Sequence, residues 1–146
     1  HKEELQMPRY FAKLDQFNNV ITTVVGNDDF LTTYEDDSPG KWLECDKQMA
    51  GGVLFDKSTG LAADDQSKAF RLNWPGIGWT YDKTLDGFIE PRPVDKDGES
   101  CASWTLNNST GYYEPPIAHP AETGSTKYVW DESVYQGNNS LGWVSE

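Results

Sequence analysis

Few residues in this chain have types and spacings that could do chemistry. Cys45 and Cys101 are the only cysteines. They read either as one disulfide or as two partly buried thiols, and the second is the commoner state of an isolated pair. No Cys-x-x-Cys occurs, so a zinc or redox site has no frame. His119 stands in Ala-His-Pro and His1 at the terminus. A catalytic histidine needs a nucleophile and an orienting carboxylate. The sequence offers no Gly-x-Ser-x-Gly or similar frame, so His119 reads as a loop residue. Acids recur in pairs: Asp28-Asp29, Glu35-Asp36-Asp37, Asp64-Asp65 and Asp131-Glu132. Glycosidases use two carboxylates across a cleft, but adjacent acids on turns are more often solvated caps. Asp95-Lys-Asp-Gly-Glu99 places oxygen ligands at alternate positions, like a fragment of a calcium loop. It lacks the remaining ligands of such a loop. Pro75-Gly-Ile-Gly78 is a turn, not a phosphate loop. Asn108-Ser-Thr110 and Asn138-Asn-Ser140 match the glycosylation pattern, which is frequent by chance.

The aromatic residues are the more promising set. Trp74, Trp79, Tyr81, Phe88, Trp104, Tyr112, Tyr113, Tyr128, Trp130 and Trp143 concentrate in the second half of the chain. Exposed Trp and Tyr on hairpins stack on sugar rings or anchor protein interfaces. The plainer reading is that a thin fold uses them as core, since each buries on the order of 150–250 Å².

Composition narrows the classes. The 146 residues carry 24 acids against 12 bases, a net charge of −12. Nucleic acid and anionic membranes both need a positive face, so neither is expected as a partner. No apolar run approaches the roughly 20 residues of a membrane helix. Hydrophobic residues are only 36%, but aromatics are 13%, which argues against disorder. The opening His1-Lys-Glu-Glu-Leu-Gln has no apolar stretch of a signal peptide. Residues 1–6 are expected to be an expression remnant or a disordered extension, with Met7 the candidate start.

The elements that must position these side chains read as strands. Residues 9–14 and 20–25, 78–81 and 88–89, 103–106 and 112–113, and 128–130 and 142–144 form pairs of apolar runs. In three of the pairs a short polar loop joins the runs. In the last, a longer insertion follows Asp131-Glu-Ser. Asp or Asn opens each loop and caps its own backbone. The only helical candidate is 61–72 (LAADDQSKAFRL), which reads equally as a surface loop. Two proline-rich connectors, 90–100 and 114–126, are expected to run extended, with Pro91, Pro93, Pro115 and Pro116 setting their direction. The fold class is therefore all-β: a series of antiparallel β-hairpins with extended connectors and at most one short helix. Residues 7–146 form a single hairpin-rich domain, elongated rather than a tight barrel, with an N-terminal part over 7–90 and C-terminal hairpins over 102–146.

Several motifs in this order resemble small proteins of tailed phages of marine cyanobacteria and related marine bacteria. They are Met7-Pro-Arg-Tyr-Phe-Ala-Lys-Leu-Asp15 with Asn19-Val-Ile, Gly51-Gly52-Val53, and Phe70-Arg-Leu-Asn-Trp-Pro-Gly-Ile-Gly-Trp-Thr-Tyr-Asp82. Further along come Asp86-Gly-Phe-Ile-Glu-Pro-Arg-Pro93, Ser103-Trp-Thr-Leu-Asn107, Tyr113-Glu-Pro-Pro116 and Tyr128-Val-Trp-Asp-Glu132. Residues 47–50, 94–101 and 135–141 depart from the pattern, where loops are expected. The resemblance implies a virion protein: a capsid decoration or tail accessory subunit, multi-copy or homo-oligomeric. It would be bound to other virion proteins, with arms lying on neighbouring subunits. It implies no enzyme, no cofactor and no metal. A carbohydrate-binding module at a fibre tip, touching a surface glycan, is the alternative. Trp104, Tyr112, Tyr113, Trp130 and Trp143 are the expected contact residues for either.

Overall fold

Alternating apolar runs broken by Asn, Asp and Gly fold here into eleven strands and one short helix among the described residues. The structure is a computed structural model, and it describes residues 9–27, 29–30, 40–122 and 124–146. Residues 1–6, Met7, Asp28 and Glu35-Asp36-Asp37 lie outside the described residues. The chain is an all-β protein of small antiparallel sheets, divided into two compact units: residues 1–91 with 108–112, and 92–107 with 113–146.

The first unit is built on a three-stranded sheet. Strands β1 (Arg9–Leu14), β2 (Val20–Gly26) and β3 (Lys41–Cys45) run in the order β2-β1-β3. Central β1 is buried on both faces, with Phe11, Ala12 and Leu14 fully enclosed and Lys13 nearly so. On one face Phe11 stacks on Phe30 at 4.5 Å, and Lys13 Nζ lies 5.0 Å from the Trp42 ring. On the other, Ala12 and Leu14 join Val20, Cys45 and Phe88, flanked by Tyr10, Leu43, Trp74, Trp79 and Tyr81. The β1–β2 turn follows from Asp15, whose Oδ1 accepts from the N–H groups of Phe17 (2.8 Å) and Asn19 (2.9 Å).

Two hairpins complete this unit. Strands β4 (Met49–Ala50) and β5 (Val53–Leu54) are joined by Gly51 and Gly52, with φ of 58° and 79°. Positive φ at both central residues is what the favoured two-residue hairpin turn requires. Strands β6 (Thr80–Asp82) and β7 (Gly87–Ile89) form the other, as expected from their runs. The candidate helix at 61–72 is not a helix, and the loop reading holds. Leu61 is 70% exposed, so its apolar stripe has nothing to cover. Arg71 and Leu72 take left-handed φ of 54° and 67°. Gln66 pins the loop instead, exchanging hydrogen bonds with both backbone groups of Leu54 (2.9 and 2.7 Å).

The second unit holds β8 (Thr105–Asn107), β9 (Tyr112–Glu114, of which Tyr112 belongs to the first unit), β10 (Tyr128–Trp130), α1 (Glu132–Gly137) and β11 (Trp143–Ser145). The hairpins β8–β9 and β10–β11 fall where the apolar runs placed them. Helix α1 overturns the reading of 135–141 as a plain loop. Asp131 caps it by accepting from Val134 N–H at 3.1 Å, and Glu132 stands in the first turn. The connector over 90–100 is not an extended arm along its length. Pro93 O accepts from Cys101 N–H at 2.9 Å and Val94 bridges Ser100, so this stretch closes on itself.

Asn73 is the polar centre of the first unit and is 2% exposed. Its Oδ1 accepts from Gly51 N–H at 2.7 Å. Its Nδ2 donates to Phe88 O at 3.0 Å and Thr110 O at 2.7 Å. One side chain thus satisfies three backbone groups from three segments, Phe88 O fully buried and the other two partly so. Asn73→Ala strands all three, and the expected loss is about 3 kcal/mol or more, because each orphaned buried group costs about 1–3 kcal/mol. Asn73→Asp should lose at least as much, since a carboxylate cannot donate to the two carbonyls. Urea unfolding followed by Trp fluorescence measures this, and a midpoint unchanged from the parent would contradict it.

Candidate functional site

The aromatic residues of the second unit gather because β10, β11 and the chain after Cys101 each contribute one indole. Trp130 and Trp143 are cross-strand partners on β10 and β11, with ring centres 5.1 Å apart at 75°. Trp104 lies 5.8 Å from Trp130 and 6.1 Å from Trp143. Tyr135 of α1 lies 5.5 Å from Trp130. These are edge-on or tilted geometries that satisfy the ring quadrupoles. Gly142 is buried, and any Cβ there would collide with the Trp130 ring.

A buried carboxylate organises the cluster. Glu132 is 5% exposed. Its Oε1 accepts from Trp130 Nε1 (3.0 Å) and Ser103 Oγ (2.7 Å). Its Oε2 accepts from Gln136 Nε2 (2.7 Å) and Ser103 N–H (3.2 Å). Burial opposes its ionisation, but these donors outweigh it and hold the carboxyl below its ordinary range. The Glu132 N–H in turn donates to Asp95 Oδ2 at 2.9 Å. The Trp104 Nε1–H is buried without a hydrogen-bond partner among the described residues.

Asp95 and Asp97, from the stretch that resembles an incomplete calcium loop, and Asp131 bring carboxylate oxygens within 4.8 Å of one another. Asp95 is already committed: Oδ1 accepts from the N–H groups of Asp97 (2.8 Å) and Glu99 (2.9 Å), and Oδ2 from Glu132. Lys96 Nζ lies 3.0 Å from Asp97 Oδ2 and 3.7 Å from Asp131 Oδ2. An ammonium supplies the positive charge there, so the loop works as a capped turn.

Beside the indoles lies a shallow groove of about 260 Å³, lined by Ile117, Pro120, Tyr128, Ser140, Leu141 and Trp143 among others. Trp143 Nε1 donates to Ile117 O at 2.8 Å. His119 places its ring 4.5 Å from Trp143, with Nε2 3.3 Å from Tyr128 O. The proline segment after Glu114 is therefore held against the β10–β11 hairpin of its own unit, rather than free to act as an arm. His119 is a loop residue, and its charged neighbour is Glu122 at 3.9 Å.

The five expected contact residues separate. Trp130 is a correction: at 4% exposure it is core, because the indoles, Tyr135 and Glu132 enclose it. Trp104 and Trp143 are half-buried in the same cluster. Tyr113 is half-buried with Arg92 over its ring at 4.4 Å, and Arg92 also donates to Cys101 O and Trp104 O. Tyr112 is grouped with the first unit, where it meets Trp79 at 6.4 Å. Both cysteines are free and buried. Burial, then nearby acids, push the Cys45 thiol up to about 12 and the Cys101 thiol up to about 11. Sequence reasoning missed Glu132, Leu141 and the groove. The signals were Trp130 two residues before Glu132 and Gln136 one helical turn after it.

The chain matches no protein-family model, no curated protein and no solved structure.

Acid should loosen this unit. Glu132 and Asp95 both have carboxyls held below their ordinary values. Their contribution is present above the unfolded pKa and is lost as pH falls through the folded one, so melting temperature should drop below about pH 4. Glu132→Gln keeps the shape but turns a donor towards the donors around it. It should lower the melting temperature at pH 7 and flatten the acid limb. A variant as acid-sensitive as the parent, in a fluorescence-monitored melt across pH 2–7, would show that Glu132 is not the group concerned.

Proposed function

We propose that the chain is a non-enzymatic structural component of a virion, a capsid decoration or tail accessory subunit that docks on other virion proteins. The order of its motifs supports the virion setting. The observation that carries the docking reading is the groove beside Trp143. Its lining is mostly apolar and aromatic, Leu141 on its wall is 53% exposed, and the chain as a whole carries a charge of −12. Apolar surface that an acidic protein leaves open beside rigid aromatic residues is the usual form of a docking anchor. The indole cluster behind it is already self-satisfied, apart from the Trp104 N–H, so the groove is presented on a firm base rather than assembled on contact.

The presence of Tyr128 and Trp143 on this groove, together with Ser140, also favours a second reading, a carbohydrate-binding module. The two differ in what fills the groove.

Leu141→Glu places a charge on the groove wall at an exposed position, so the fold should stand. Incorporation into particles should fall about tenfold, the effect of losing about 1.4 kcal/mol of affinity. Quantitative mass spectrometry of gradient-purified particles reads this. Undiminished incorporation removes the docking reading. A saturable change in Trp fluorescence with a soluble glycan, lost in the same variant, would select the carbohydrate reading instead.

A further inference from the structure

We infer that the cleft between Lys47, Tyr10 and Trp74 is a binding site for an acidic sugar, with Lys47 taking its carboxylate. The cleft lies in the first unit and depends neither on the groove nor on the virion setting.

The main sheet supplies its floor. Tyr10 pairs with Val25, and Ala12 with Thr23, across β1 and β2. Cross-strand partners share a face, as do alternate residues of a strand, so Tyr10, Thr23 and Val25 stand together. Trp74 forms a wall, edge-on to Tyr10 at 5.6 Å, with its backbone N–H donating to Met49 O at 2.8 Å. Lys47 borders the cleft from the turn after β3. Asp46 sets that turn: its carbonyl accepts from Met49 N–H at 3.2 Å and its Oδ1 from Gln48 N–H at 2.7 Å. Lys47 Nζ lies 5.0 Å from the Tyr10 ring centre and 5.9 Å from that of Trp74.

Charge selects the sign of the occupant. The chain carries 24 acids against 12 bases. Yet the lining residues, Tyr10, Thr23, Val24, Val25, Lys47 and Trp74, include no acid. Among the described residues no carboxylate pairs with Lys47. The two rings hold its ammonium in place without neutralising it, which leaves a fixed positive charge for an anion. The net charge of −12 opposes any anion at long range, but salt screens such fields beyond about 8 Å at physiological strength.

Size and lining select the class. The cleft holds about 220 Å³. That is below the roughly 300–1,000 Å³ of drug-sized pockets, so it admits one ring rather than a chain. One lysine is a single point charge, which matches a monoanionic carboxylate better than a phosphate of nearly two charges. A pyranose carboxylate meets the remaining features. Its C–H face packs on aromatic rings, and its hydroxyls have the Thr23 hydroxyl as a partner. A fatty carboxylate would leave that hydroxyl unmatched.

NMR titration of the isotope-labelled full chain with methyl glucuronoside tests this. The expected result is a saturable shift of the Thr23 and Lys47 amides and of the Trp74 indole N–H. Methyl glucoside, which lacks the carboxylate, should give a much weaker response. Lys47→Met keeps a hydrocarbon stem over the rings and should weaken binding about tenfold or more, whereas Lys47→Arg should retain most of it. Val25→Asp places an acid on the rim at a position 63% exposed. It should abolish binding with the circular dichroism unchanged. No saturable shift up to about 50 mM ligand would overturn the proposal. So would an equal response to the two glycosides, shifts centred outside the cleft, or a Lys47→Met variant that binds like the parent. Binding of benzoate where the glucuronoside does not bind would overturn it too. Leu141→Glu should bind the glucuronoside like the parent, so failure here and failure of the groove reading are separable.

Discussion

Strands of two or three residues cannot hold a fold by their own ladders. Eight of the eleven strands among the described residues are that short. A two-stranded hairpin is marginal in water even when longer. The backbone between such strands is full of donors and acceptors, and those that become buried must be satisfied. Nearly enclosed polar side chains do this in each unit. In the first, Asn73 serves backbone groups of Gly51, Phe88 and Thr110. In the second, Asp95 accepts from the N–H groups of Asp97, Glu99 and Glu132, while Glu132 accepts from Ser103 N–H and from the side chains of Ser103, Trp130 and Gln136. The low hydrophobic fraction of the chain is compatible with a stable fold because these groups share the task of a larger apolar core.

The same arrangement sorts the aromatic residues. Glu132 draws the Trp130 indole N–H inwards, and Trp104 and Trp143 close around it. Trp143 is left with one aspect on a groove. The acid that looked like a solvated cap is thus what fixes which aromatic surface remains open. Asp131 beside it does act as a cap. Two adjacent carboxylates have different roles because one faces the helix N-terminus and the other faces four donors.

Local patterns were legible in the sequence, and long-range polar contacts were not. The four hairpins at 9–25, 78–89, 103–113 and 128–144 could be read because alternation and Asx-type turns are encoded within a few residues. The two-residue turn at Gly51-Gly52 has an equally local signal, but its strands are too short to show alternation. The third strand of the main sheet, Lys41–Cys45, pairs with β1 across a long separation and leaves no local trace. The stretch at 61–72 carried a weak helical stripe that tertiary contacts override: Gln66 binds Leu54, and the stripe has nothing to cover. Asn73 and Glu132 look like any Asn and Glu in sequence, because burial is a property of what folds over them. The aromatics were correctly singled out as a group. Which of them is core and which is surface depends on Glu132, so that division was not readable.

Native-state amide hydrogen exchange tests most directly whether buried side-chain acceptors hold this protein together. The N–H groups of Gly51, Ser103 and Glu132 donate to side chains rather than to a strand partner or a helix carbonyl. The account predicts that they exchange only through global unfolding of their unit, Gly51 as slowly as the amides of central β1, and Ser103 and Glu132 as slowly as the paired amides of β10 and β11. Exchange of these three at the rate of exposed turn amides, while the strand amides of their own unit stay protected, would contradict it.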